Sequence, residues 1–183
     1  MSSAHLFASL PNIISLGRLV LVPVVIVFII QPDWMGAFLL FVIAGISDAV
    51  DGFLAKRFDL RTELGAYLDP LADKALLMSI YVTLAVESVL PATLAILVVS
   101  RDVMIMGAVM VSWVLDKPVA IKPLLVSKAN TMGQIVLAAA VLGGKAFGVA
   151  FGMWFQVLIY TVAALTLASA AAYFVQWLRH MTD

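Results

Sequence analysis

At 183 residues, 64% hydrophobic and 12% charged, with a mean hydropathy of +1.11, the chain carries about half the charge that a soluble domain normally has. So few charges cannot coat a water-facing surface. A net charge of zero with no basic tract gives no sign of nucleic-acid binding, and the absence of cysteine excludes disulfides, thiolate chemistry and sulfur-ligated metal. The expected class is an all-α integral membrane protein, with lipid as the solvent for most of its exterior.

The opening MSSAHLFASLPN holds no lysine or arginine, so neither a signal peptide nor a transit peptide is expected there. Within residues 1–12, Leu6, Phe7 and Leu10 fit a short amphipathic juxtamembrane turn lying on the membrane surface. A helix needs roughly 20 mostly apolar residues to cross the hydrocarbon core. Six stretches are predicted to do so: 13–30, 34–54, 66–86, 91–115, 128–143 and 149–178. The fifth is short, and the sixth is long enough to tilt or to run past the membrane. Connections are brief and no internal repeat or low-complexity tract interrupts them, so residues 1–183 read as a single membrane domain.

Charge placement predicts the orientation. Six spans put both termini on one side, where the loops hold Lys56, Arg57, Arg61, Lys117 and Lys122, with Arg179 in the tail. The opposite loops hold only Lys145. The positive-inside rule then places both termini in the cytoplasm. Trp34 and Trp154 are expected near the outer interface, Trp113 and Trp177 near the inner one.

The segment SDAVDGFLAKRFDLRTELGAYLDPLADKA, from Ser47, concentrates the chemistry. Asp48 and Asp51 are three apart and Asp69 and Asp73 four apart, so on helices each pair shares one face. A short turn between the second and third spans brings the pairs face to face at their cytoplasmic ends. Four crowded carboxylates resist ionising unless a cation is present, and hard divalent ions such as Mg²⁺ or Mn²⁺ suit oxygen ligands. A purely structural reading competes. Asp69-Pro70 resembles a helix N-cap followed by proline, Asp73 a first-turn acid, and Asp48 and Asp51 membrane-edge acids paired with Lys56 or Arg57. Four intramembrane acids at once argue against it, because each costs about 2.5–3.5 kcal/mol on insertion scales.

The same segment resembles the signature of the CDP-alcohol phosphotransferase family: Asp, two residues, Asp-Gly, two residues, Ala-Arg, eight residues, Gly, three residues, Asp, three residues, Asp. Asp48, Asp51, Gly52, Ala55, Gly65, Asp69 and Asp73 match it at every interval, and Lys56 stands where the family has arginine. Lysine keeps the charge but loses the planar fork for bidentate phosphate contacts. The resemblance implies a six-helix bundle with a cytoplasm-facing cavity and a homodimer. It also implies two divalent metals on Asp48, Asp51, Asp69 and Asp73. A CDP-lipid would lie against Asp48, Gly52, Ala55, Lys56 and Gly65, with Asp73 as general base toward an acceptor hydroxyl. Paired metals clamp the attacking and leaving oxygens of a phosphoryl displacement.

Two further constellations bear on the acceptor. Arg101-Asp102 lies mid-span in VVSRDVMIM; neighbours on a helix point about 100° apart, so each is expected to need its own partner. Arg101 is either a structural partner for an aspartate on another helix or part of a functional site. The string KPLLVSKANT brings Lys122, Ser127, Lys128, Asn130 and Thr131 to the start of the fifth span, as phosphate ligands or as positive-inside decoration with a serine cap. Within the family, these strings, LPNIISLGRL and LTLASAAAYF resemble the cardiolipin synthase branch, which implies CDP-diacylglycerol as donor and phosphatidylglycerol as acceptor. In that reading Arg101, Lys122, Lys128 and Asn130 hold the acceptor phosphate. The neighbouring phosphatidylglycerophosphate synthase branch usually has lysine at the position of Asn130. One lysine fewer suits a phosphodiester of single charge over a glycerol 3-phosphate of about −1.5 to −2. A bacterial inner membrane, with the active site on its cytoplasmic side, is the expected location. A transporter or channel is the rival class, but it needs charge spread across the bilayer and often repeats, whereas these aspartates gather at one face.

Overall fold

The computed structural model describes residues 2–57, 63–114 and 124–182, and side chains at 16–50, 52, 72–108, 110–111 and 124–179. Six helices and no strand occupy the described residues: α1 (Ser2–Ile30), α2 (Trp34–Arg57), α3 (Glu63–Val86), α4 (Ala92–Val114), α5 (Leu125–Ala146) and α6 (Met153–Thr182). They close a ring in the order α1, α2, α5, α6, α4, α3, and α3 also touches α5 across it.

The helices differ from the expected spans chiefly at their ends. No break separates residues 2–12 from the apolar run that follows: α1 is continuous from Ser2 despite Pro11. Local rearrangement can satisfy the backbone groups that proline frees in such helices. The side chains of the expected amphipathic turn lie outside the described residues. At the C-terminus of α5, Gly148 adopts φ +64, while Val149 N–H donates to the Gly144 carbonyl at 2.8 Å. This is the glycine-capped ending that lets the chain reverse into α6.

The core fills one end of the ring. Val25 and Ile29 of α1, Ala37 and Ala44 of α2, Ile80, Tyr81 and Leu84 of α3, Leu94 and Val98 of α4, Leu137, Val141 and Leu142 of α5 and Val162 of α6 are all buried there. Small residues permit close approach, which drives helix association where lipid removes the hydrophobic force. A Cβ on Gly144 would stand 2.6 Å from the Phe151 ring. Large apolar side chains face outward instead, among them Leu16, Ile43, Val82, Ile96, Ile135 and Tyr160. A water-exposed monomer rarely shows apolar surface on every side.

Among the described residues, Leu125–Ala146 and Met153–Arg179 are long and apolar enough to cross a membrane, and Leu16–Ile30 and Trp34–Val50 are shorter apolar stretches. The helices α3 and α4 carry Asp69, Asp73 and Lys74, and Arg101 and Asp102, within their lengths, which interrupts their apolar runs. Trp34 packs near Lys145, whose ammonium lies 5.4 Å from its ring, and Trp154 meets Phe151 and Phe155 edge-on at the same end. The Trp113 side chain lies outside the described residues.

Candidate active site

The other end of the ring is polar, and all six helices contribute. From α1, Arg18 reaches between α2 and α3. Its Nη1 lies 2.8 Å from Asp48 Oδ1 and also contacts Asp73 Oδ1. The guanidinium is 2% exposed, whereas the Asp48 and Asp73 side chains are 45% and 42% exposed. Two carboxylates from different helices therefore converge on one cation position while keeping an open face.

The Asp69-Pro70 helix start expected from the structural reading is overturned. The helix α3 begins at Glu63, six residues earlier, so Asp69 lies inside it rather than at its cap. On the helical frame Asp51 sits about one turn from Asp48 toward the end of α2, and Asp69 about one turn from Asp73 toward the start of α3. Both lie toward the same end of the ring. The side chains of Asp51 and Asp69, with Ala55, Lys56 and Gly65, lie outside the described residues. No group of three metal-ligating acids or imidazoles occurs among the described ones. At Gly52 the position of a Cβ is open, with no atom within 4 Å. The donor set fits a hard divalent cation: Asp48 and Asp73 present oxygens that already share one cation, and the open face leaves room for a ligand.

The layer continues across the ring through Lys74, the neighbour of Asp73. Its Nζ lies 2.6 Å from Asp102 Oδ1 of α4. Arg101 Nη1 lies 2.5 Å from the same oxygen. Arg101 also donates to Ser169 of α6 at 3.1 and 2.7 Å and to Ser127 of α5, and stacks 5.6 Å from the Tyr173 ring. Each thus has its own partner on another helix, as expected, but the aspartate that Arg101 meets is its neighbour on α4 and not one on another helix, because the long side chain curls back across the 100° offset. Arg101 and Asp102 are both buried.

At α5 the expected serine cap is not formed. Leu124 occupies the cap position without a side-chain cap, and Ser127 spends its hydroxyl on Arg101 instead. Lys128 is exposed and lines an open cavity of about 350 Å³ with Ser127, Thr131, Met132 and Ile135. Asn130 lies on the opposite, buried face, where its Oδ1 accepts from Thr166 at 2.8 Å. The structure thus brings Arg101 and Lys128 to adjacent places through Ser127, and turns Asn130 to α6. Lys122 lies outside the described residues. A second, apolar cavity of about 250 Å³ lies between α4 and α6, bounded by Met104, Ile105, Ala108, Tyr173, Phe174 and Trp177.

Sequence reasoning gave no role to Arg18, Lys74 or Ser169. Arg18 carried a readable signal, a lone charge inside an apolar run. Lys74 was hidden by its acidic neighbours, and Ser169 by a stretch of small residues.

The CDP-alcohol phosphatidyltransferase family model matches residues 8–176, and the chain belongs to that family. It is 35% identical over 182 residues to a human CMP-forming cardiolipin synthase, covering 91% of this chain and 60% of that protein. It is also 32% identical over 149 residues to a CDP-diacylglycerol–glycerol-3-phosphate 3-phosphatidyltransferase of Bacillus subtilis, covering 73% of this chain and 76% of that one. An enzyme of the latter name from Rickettsia bellii is 30% identical over 172 residues, with 91% and 93% covered. The chain spans about 60% of the length of the human and rat cardiolipin synthases that it matches.

Proposed function

We propose that this chain is a divalent-metal-dependent phosphatidyltransferase that moves a phosphatidyl group from CDP-diacylglycerol to phosphatidylglycerol, forming cardiolipin and CMP. The observation that carries this reading is the convergence of Asp48 and Asp73, two members of the family signature, on one cation position.

Asp48, Asp51, Asp69 and Asp73 would hold two Mg²⁺ or Mn²⁺ ions, which supply Lewis-acid neutralisation of the diphosphate. Gly52, Ala55 and Gly65 leave space for the nucleotide against the backbone, and Lys56 offers it a positive charge. Asp73 takes the proton from the acceptor hydroxyl. That oxygen forms a bond to the phosphorus nearer the diacylglycerol as the bond to the CMP oxygen breaks. Lys128, with Lys122, holds the acceptor phosphate, while buried Arg101 fixes Ser127 beside it. The cavity between α4 and α6 suits an acyl chain by its apolar walls.

Six membrane-crossing helices, an active site open to the cytoplasm, a homodimer and a bacterial inner membrane complete the proposal. Apolar side chains exposed around the ring and lysine and arginine placement support the first two. The glycerol 3-phosphate reaction is the second reading, favoured by relatives that this chain covers almost entirely. Purified protein given CDP-diacylglycerol with either phosphatidylglycerol or glycerol 3-phosphate decides between them by product identity. No CMP release with either acceptor would remove the enzymatic reading.

A further inference from the structure

We infer that Arg18 is an internal stand-in for the metal, holding the Asp48 and Asp73 carboxylates together when no ion is bound and competing with the ion for them. The inference rests on the metal reading proposed above. Both ion pairs use the same guanidinium nitrogen and the Oδ1 atom of each aspartate. A cation held by those two oxygens would compete with Nη1 for them.

Exposure says which partner belongs to the wall. Arg18 is 2% exposed behind carboxylates that are each more than 40% exposed. An ion arriving from the open side meets the carboxylates first and the guanidinium behind them. Without a cation between them, like charges on α2 and α3 repel, and those helices also share α1 as a packing partner. A guanidinium suits a stand-in because it is always charged and more weakly hydrated than an ammonium, so it tolerates burial better than lysine. The metal-free site therefore keeps its shape at the cost of metal affinity.

The test is Mn²⁺ binding to the purified full chain, followed by electron paramagnetic resonance of the free ion. Arg18→Gln should bind Mn²⁺ about tenfold more tightly or better, since a competing charge within a few ångströms is removed. In excess chelator the same variant should unfold at a lower temperature than wild type, and Mn²⁺ should raise its midpoint by more. Arg18→Lys, a hydrated point charge in place of the fork, should bind Mn²⁺ with affinity between the two. Equal or weaker binding by Arg18→Gln overturns the inference. If that variant does not fold, Arg18→Lys decides, and binding no tighter than wild type overturns it. A wild type that binds Mn²⁺ while the variants match it sinks only this inference. A wild type that binds none removes the metal reading itself.

Discussion

Lys74 Nζ and Arg101 Nη1 meet the same oxygen, Oδ1 of Asp102, at 2.6 and 2.5 Å, so one buried carboxylate answers cations from α3 and α4. Asp102→Asn removes the counter-charge of both, with Arg101 at 2% exposure and Lys74 at 28%. Breaking a buried pair from one side typically costs about 3–5 kcal/mol. Ser169→Ala removes neutral partners of Arg101 and should cost nearer about 1–2 kcal/mol. Thermal unfolding in detergent measures both, and an Asp102→Asn midpoint equal to wild type would show that the pairing adds nothing.

Removing divalent metal should abolish turnover, because unneutralised carboxylates would then face an anionic diphosphate. Asp48→Asn and Asp51→Asn should act the same way, through lost metal affinity that higher Mn²⁺ partly restores. Activity is read as CMP release, and full activity in excess chelator would sink the two-metal proposal.

Asp73→Asn should lower the rate of chemistry by about 10²–10⁴-fold, the usual contribution of a general base. Binding of CDP-diacylglycerol should fall far less, since three carboxylates remain. The comparison is kcat against the KM of the donor. A near-normal kcat would assign the proton to another group.

Lys128 and Asn130 separate charge from packing. Lys128→Gln should raise the KM for acceptor and leave stability within about 0.5 kcal/mol, because the side chain is exposed. Asn130→Lys should leave the ratio of specificity constants for phosphatidylglycerol and glycerol 3-phosphate little changed, because residue 130 faces α6 and not the cavity that Lys128 lines. It should also lower the unfolding midpoint, because the lysine replaces a fully buried partner of Thr166. A ratio shifted toward glycerol 3-phosphate would mean that residue 130 reaches the acceptor after all.

The sequence exposes the helices and the aspartate pairs because both are local patterns: apolar runs of span length, and acids three and four apart. Helix ends were less legible. The Asp69-Pro70 pair carries a cap signal, yet the chain is already helical from Glu63. Partners were least legible, since they depend on the order of helices in the ring. Nothing near Arg101 in the sequence points to Ser169, 68 residues away, and Arg18 meets Asp73 across 55. Asn130 shows the limit of reading charge without burial: a residue weighed for its missing charge stands at 0% exposure against α6.

The separation between Arg18 and its acids also bears on how the chain is made. In a helix-by-helix synthesis, Arg18 emerges well before Asp48 and longer still before Asp73, 55 residues on. An unpaired arginine within a span is costly, though less so toward its end than the roughly 2.5–3.5 kcal/mol of the helix centre. Under the proposed six-span topology, the first helix would then be a poor candidate for early release into lipid, and the first three would be best delivered together, once the guanidinium has found both carboxylates. Arg101 faces no such delay, because its neutralising acid is the very next residue to leave the ribosome.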